Sequence, residues 1–124
     1  GKLASASADG TPHVVPIWFI EDENTLVFSS GRSTKKTRNI ASNARVCLCI
    51  DEESFPYAFV MLECTAVIEE LSMPALREYT TRIARRYVPA DRAEVFGDRN
   101  AAPTEVLIRL TPQHIVAWGD MSAE

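Results

Sequence analysis

The run from Pro12 to Ile20 constrains the fold more than any other stretch of this chain. Val14, Pro16, Trp18 and Ile20 alternate with His13, Val15, Ile17 and Phe19. At a strand's period of two, both faces are mostly apolar. A strand of that kind belongs in a barrel or at an interface. Asp9-Gly10 precedes it, a pair that tolerates positive φ and joins extended runs as a hairpin. Pro16 has no N–H to donate, so the strand is interrupted, bulged or at an edge there. A sheet broken at that point leaves backbone groups that a ligand could use.

The rest of the chain is strand-rich. Leu3–Ala8, Thr25–Ser29, Arg45–Asp51, Tyr57–Glu69 and Thr104–Leu110 read as strands; Pro112 breaks the last, and His114–Trp118 resumes it. One helix is predicted over Lys35–Ser42, capped by Ser33 or Thr34. A second starts at Ser72-Met73-Pro74 and ends at Pro89, with Leu76, Tyr79, Ile83 and Tyr87 at helical spacing. Its arginines, Arg77, Arg82, Arg85 and Arg86, read as a solvated face. Ala90–Pro103 reads as irregular, with a turn of helix near Ala93–Phe96. There is no βαβ alternation, so a doubly wound parallel sheet is excluded. The expectation is a mainly β fold, a six-stranded antiparallel barrel with short helices, in one domain over residues 1–124.

A formal charge of −4 argues against a general nucleic-acid binder. Basic residues nevertheless gather in Ser29-Ser30-Gly31-Arg32-Ser33-Thr34-Lys35-Lys36-Thr37-Arg38-Asn39, between a strand and a helix start. Free N–H groups and the positive dipole end of a helix attract anions, and hydroxyls with Lys and Arg beside them make a phosphate cradle. A local basic patch on an acidic chain suits a small anionic ligand. Cys47, Cys49 and Cys64 form no C-x-x-C pair and sit in strand-like runs, which points to free buried thiols, no metal site and a reducing, cytoplasmic setting. No apolar run is long enough to span a membrane. The chain starts at Gly1 inside a strand, so an N-terminal segment is expected to be missing or removed.

Catalytic constellations are lacking. His13 and His114 each sit in a strand without a nucleophile or metal motif, and no dinucleotide fingerprint, P-loop or nucleophile elbow occurs. A phosphate cradle without a nucleophile assigns the chemistry to a bound cofactor. Trp18, Phe28, Tyr57, Phe59 and Trp118 fit core or interface better than cofactor wall, although a flat cofactor needs such walls.

The ordered series Leu3…Asp9-Gly10-x-Pro12-His13-Val14-Val15-Pro16-Ile17-Trp18-Phe19, Leu26-Val27-Phe28-Ser29-Ser30-Gly31, Lys36-Thr37-Arg38-Asn39-Ile40, Ala44-Arg45-Val46 and Pro56-Tyr57-Ala58-Phe59-Val60 resembles the pyridoxamine 5′-phosphate oxidase-like split β-barrel family. Within it, the match is nearest to members that use the deazaflavin coenzyme F420. The resemblance runs well from Leu3 to Ile68 and more loosely through Trp118. It implies a six-stranded split barrel that forms a homodimer with cofactor sites at the subunit interface. It places Val15, Pro16, Ile17 and Trp18 along the ring system, with Trp118 as a further contact. It places Ser29, Ser30, Thr34, Lys35, Lys36 and Asn39 at the phosphate, with Arg38 a further candidate; relatives often carry Arg where this chain has Thr34, so one phosphate charge contact is lost here or is supplied by Arg32. The N-terminal helix of the family pattern is expected to be missing from this chain. The implied reaction is hydride transfer between reduced deazaflavin and a small conjugated or oxidised organic substrate, with a proton from solvent or a nearby side chain such as Tyr57; no residue in the sequence identifies itself as that donor. An FMN-dependent oxidase or reductase of the same fold is the alternative, as is a non-catalytic carrier of flavin, deazaflavin or haem.

Overall fold

In the computed structural model, which describes residues 1–121, the strands form one antiparallel sheet. Its elements are β1 (Lys2–Ala6), β2 (Pro12–Pro16), β3 (Ile20–Asp22), β4 (Thr25–Gly31), α1 (Lys35–Ser42), β5 (Arg45–Glu52), β6 (Ala58–Glu69), α2 (Met73–Tyr87), α3 (Ala93–Asn100) and β7 (Glu105–Trp118). The strand order is β2-β1-β5-β6-β7-β4-β3. The sheet has seven strands where the sequence predicts six, because the run from Pro12 divides. Pro16 ends β2, and Ile17–Phe19 carry the chain across to β3.

That division shapes the molecule. β2 and β3 are the two edges of the sheet, yet only three residues join them. An extended chain advances roughly 3.5 Å per residue, so the edges stand within roughly 14 Å of each other. The sheet must therefore curl almost into a barrel, with a seam between β2 and β3 that no ladder closes. Leu3, Phe28, Leu48, Val106, Ile108 and Leu110 fill its interior, each almost fully buried. The alternate residues of β4 and β7, Val27 and Leu107, face outward. There they meet Leu76 and Ile83 of α2 in a second apolar cluster.

Pro112 does not break the last strand. β7 runs through it because the register slips between Glu63 and Cys64, leaving Gln113 as the extra residue of a bulge. Ala93–Asn100, expected to give only a turn, is a two-turn helix. Gly97 makes this packing feasible: a Cβ there would stand 2.1 Å from Thr81 Oγ1 and 2.8 Å from Thr81 Cα. Thr80 Oγ1 donates to the Gly97 carbonyl at 2.7 Å and fixes the crossing.

The arginines of α2 do more than face water. Arg82 Nη2 reaches Asp22 at 3.3 Å. Arg86 Nη1 donates to the Phe19 carbonyl at 2.8 Å, and its guanidinium lies 4.3 Å over the Phe19 ring. Asp22 is shared with Arg109 of β7 at 2.9 Å, and Arg109 also forks onto Glu69 through Nε and Nη2 at 2.9 and 3.2 Å. α2 is thus bound to the outer face of the barrel beside the seam. Among the described residues no helix is long and apolar enough to cross a membrane.

Candidate functional site

At the seam lies a cavity of about 340 Å³, at the lower end of small-molecule sites. Pro16, Ile17 and Trp18 form its apolar wall. Ser29 of β4 and Lys36 of α1 enter from the basic turn. Ile83 of α2, Arg99 and Asn100 of α3, and Glu105 of β7 complete it.

The turn into α1 is built by hydroxyls. Thr37 Oγ1 donates to Ser30 Oγ at 2.9 Å, Ser30 and Thr34 Oγ1 meet at 2.9 Å, and Thr34 Oγ1 donates to the Gly31 carbonyl at 3.0 Å. A single directed chain of protons, from Thr37 to Ser30 to Thr34 to Gly31, satisfies all three hydroxyls. Thr34 Oγ1 also accepts the Thr37 N–H at 3.4 Å and so caps α1. Ser30 and Thr34 are therefore occupied in holding α1 against β4, while Ser29 lines the cavity. Asn39 is buried behind the turn, where its amide donates to Ser5 Oγ of β1 at 3.1 Å.

Lys36 is half-buried, and desolvation pushes its ammonium pKa below the ordinary lysine value while Glu105 pulls it up. Burial pushes Glu105 above the usual carboxylate range, with Lys36 acting the other way. The salt bridges among the described residues do not include this pair, so the two charges face one cavity without contact. A partly desolvated cation without a contacting carboxylate, next to a serine, an arginine and an asparagine, is a donor set that fits a phosphate group.

The wall is rigid. Trp18 stacks on Tyr87 with ring centroids 5.1 Å apart and planes 2° from parallel. The backbone at the seam, expected to be open to a ligand, is largely taken. Ile17 N–H donates to the Gly1 carbonyl at 2.9 Å, and Phe19 N–H donates to Tyr87 Oη at 3.1 Å.

The structure thus brings Pro16, Ile17, Trp18, Ser29 and Lys36 together. Val15 follows the inner side of β2 without lining the cavity, and Lys35 is exposed on α1. Arg32, read as a stand-in phosphate ligand, is committed to Glu70 and to the Pro103 carbonyl. Trp118 is exposed at the far end of β7, opposite Phe59 and close in sequence to a second hollow lined by Tyr57, Phe59 and Met121. Glu105 opens the same strand, so Trp118 lies at the opposite end of β7 from the glutamate that lines the cavity. Tyr57 lies at that far end with φ 65°. Arg99, Asn100 and Glu105 were not singled out in the sequence. Glu105 reaches the site only through the β4–β7 register, opposite Gly31.

The sequence profile of the pyridoxamine 5′-phosphate oxidase family matches residues 1–119. The chain belongs to this family. A 5a,11a-dehydrotetracycline/5a,11a-dehydrooxytetracycline reductase of Streptomyces rimosus is 28% identical over 127 residues, covering 96% of this chain and 73% of that protein. Among solved structures, an F420 reductase superposes with a TM-score of 0.71 at 23% identity, over 93% of this chain and 86% of its own. The haem storage protein HutZ of Vibrio cholerae gives a TM-score of 0.76 at 18% identity, over 98% and 88% respectively. At these identities the structural likenesses show a shared split-barrel fold.

Proposed function

We propose that this protein is an F420-dependent oxidoreductase, a reductase that passes hydride between the deazaflavin and a small conjugated organic substrate. The observation that carries the reading is the seam cavity, where a stacked tryptophan wall and a part-buried lysine without a contacting carboxylate stand together. Family membership supports it, as do a relative named as a reductase and a fold neighbour named as an F420 reductase. When bound, the deazaflavin supplies the hydride.

The chain's own residues bind, orient and exclude water. Lys36 and Ser29 hold the phosphate, and Lys35 adds charge at the rim. Ser30, Thr34 and Asn39 keep the turn in place from behind. Pro16, Ile17 and Trp18 form one wall for the ring, with Val15 fixing the strand that carries them. In this reading the protein is a homodimer, and Trp118 of the partner subunit closes the far side. Exposed Val14, Ile115 and Trp118 give apolar surface for such an interface.

The second reading is an FMN-dependent enzyme, because Lys36 and the apolar wall do not by themselves distinguish two tricyclic rings that both carry phosphate. Supplying reduced F420 with a panel of enones and quinones tests the first. Oxidation dependent on the protein, with at least one acceptor, is the expected result. Purification as a yellow protein that releases FMN on denaturation, with no oxidation of reduced F420, would assign the chain to the second reading.

A further inference from the structure

We propose that Glu105 tunes the charge class of the anion this cavity accepts, penalising a doubly charged phosphomonoester more than a singly charged phosphodiester. The inference rests on the cofactor reading above and names the phosphate chemistry of the same site.

Three charged side chains line the cavity: Lys36 from α1, Arg99 from α3 and Glu105 from β7. Two positive charges and one negative leave a single net positive charge. Because Coulomb repulsion scales with charge, Glu105 costs a dianion about twice what it costs a monoanion at the same position, which offsets part of the attraction of Lys36 and Arg99. Glu105 is held in place by the fold. It lies opposite Gly31 in the β4–β7 ladder, and its Oε2 would be 3.1 Å from a Cβ on Gly31, so the carboxylate stands over the turn that leads into α1. The neighbouring elements do not neutralise it. Arg32, on the same turn, is paired with Glu70 of the segment after β6. The seam contributes Pro16, Ile17 and Trp18, and α2 contributes Ile83, none of them titratable. A phosphate held by Lys36 and Ser29 therefore meets Glu105 as its nearest source of repulsion, and a phosphate ester with one charge fewer meets it at lower cost. Deazaflavin F420 carries its phosphate as a diester and FMN as a monoester, so the same carboxylate weighs more heavily against the second cofactor.

The test uses methyl phosphate and dimethyl phosphate as probes, followed by NMR amide shifts of Gly31, Lys36 and Glu105 in the full chain and in Glu105→Gln. At about pH 8 the first is mostly a dianion and the second a monoanion, and both proteins are titrated at that one pH. Glu105→Gln is expected to bind methyl phosphate about fivefold or more tighter than the natural chain does, with a gain for dimethyl phosphate of about the square root of that factor. Equal gains for the two esters, no gain for either, or no ester-dependent shift at these residues in either protein, would overturn the proposal. Glu105→Ala replaces the glutamine variant if the latter does not give a folded spectrum. Failure of both F420 and FMN to bind, with the gains for the two esters differing as described, would sink the cofactor reading and leave the charge selection standing.

Discussion

Substituting Gly97 by alanine tests the packing that brings Arg99 and Asn100 to the cavity. The added Cβ would meet Thr81 at 2.1 Å from Oγ1, 2.9 Å from Cβ and 2.8 Å from Cα. The hydroxyl can rotate away, but the Cα belongs to the backbone of α2, so α3 must move outward by several tenths of an ångström. Overpacking of this kind costs about 1–3 kcal/mol. Alanine returns about 1 kcal/mol through helix propensity. Because the 2.8 Å contact is with a backbone atom that no rotamer change relieves, the cost falls at the upper end and the net loss is about 2 kcal/mol, which for a chain of this size lowers Tm by roughly 6–10 °C. The outward shift also stretches the 2.7 Å bond from Thr80 Oγ1 to the Gly97 carbonyl. Thermal and urea melts followed by circular dichroism measure the loss. A double-mutant cycle with Thr81→Ala assigns its origin, because that change removes Oγ1 and leaves Cα in place, so only part of the loss is recovered. A Gly97→Ala protein as stable as the parent would refute the α2–α3 contact and, with it, the placement of Arg99 and Asn100.

Lys36→Ala is expected to weaken binding of a phosphate-bearing cofactor about tenfold or more, the worth of one charge-assisted hydrogen bond at roughly 1.5–3 kcal/mol, and unchanged affinity removes Lys36 from the site. The hydrogen bond from Arg109, with those of Tyr79 and Arg82, lowers the folded pKa of Asp22. A depressed carboxylate contributes stability that is present above its unfolded pKa of roughly 3.9 and is lost as pH falls through the folded value. Asp22→Asn should therefore cost stability near neutral pH and flatten the acid limb below roughly pH 4, and an unchanged acid limb in urea melts would count against the network. The Cys64 thiol is buried and desolvation pushes it up to about 11, so it stays protonated at neutral pH. Maleimide labelling of the native protein should spare Cys64 and modify it only on unfolding; rapid native labelling at Cys64 contradicts its place in the core.

Much of this fold was legible because its strands carry strong period-two patterns and its turns carry strong chemistry. The alternation on both faces of Pro12–Ile20 gave the barrel, and Pro16 gave the break. What a single chain could not show was that the break divides the run between opposite edges of the sheet, since that depends on which strands pair. Pro112 read as a stop because the sequence does not reveal the bulge that absorbs it at Glu63/Cys64. α3 was hidden because it is short, weakly amphipathic and carries Gly97, which lowers helix propensity and earns its place only through contact with Thr81. At the site, Lys36, Ser29 and the seam residues were legible from a basic turn after a strand and from a Pro-interrupted run. The hydroxyl chain through Ser30, Thr34 and Thr37 was not, because hydroxyls that face a ligand and hydroxyls that build a turn look alike in sequence. Glu105 was invisible for a further reason: it lies 74 positions after Gly31 and meets it only through strand register.

Equilibrium titration of F420 and FMN into the same cofactor-free preparation tests the central claim most directly. The account predicts saturable F420 binding at about micromolar Kd or tighter, weaker FMN binding, and a stoichiometry of one cofactor per chain in a dimer. Tighter binding of FMN than of F420, or no binding of either, contradicts it.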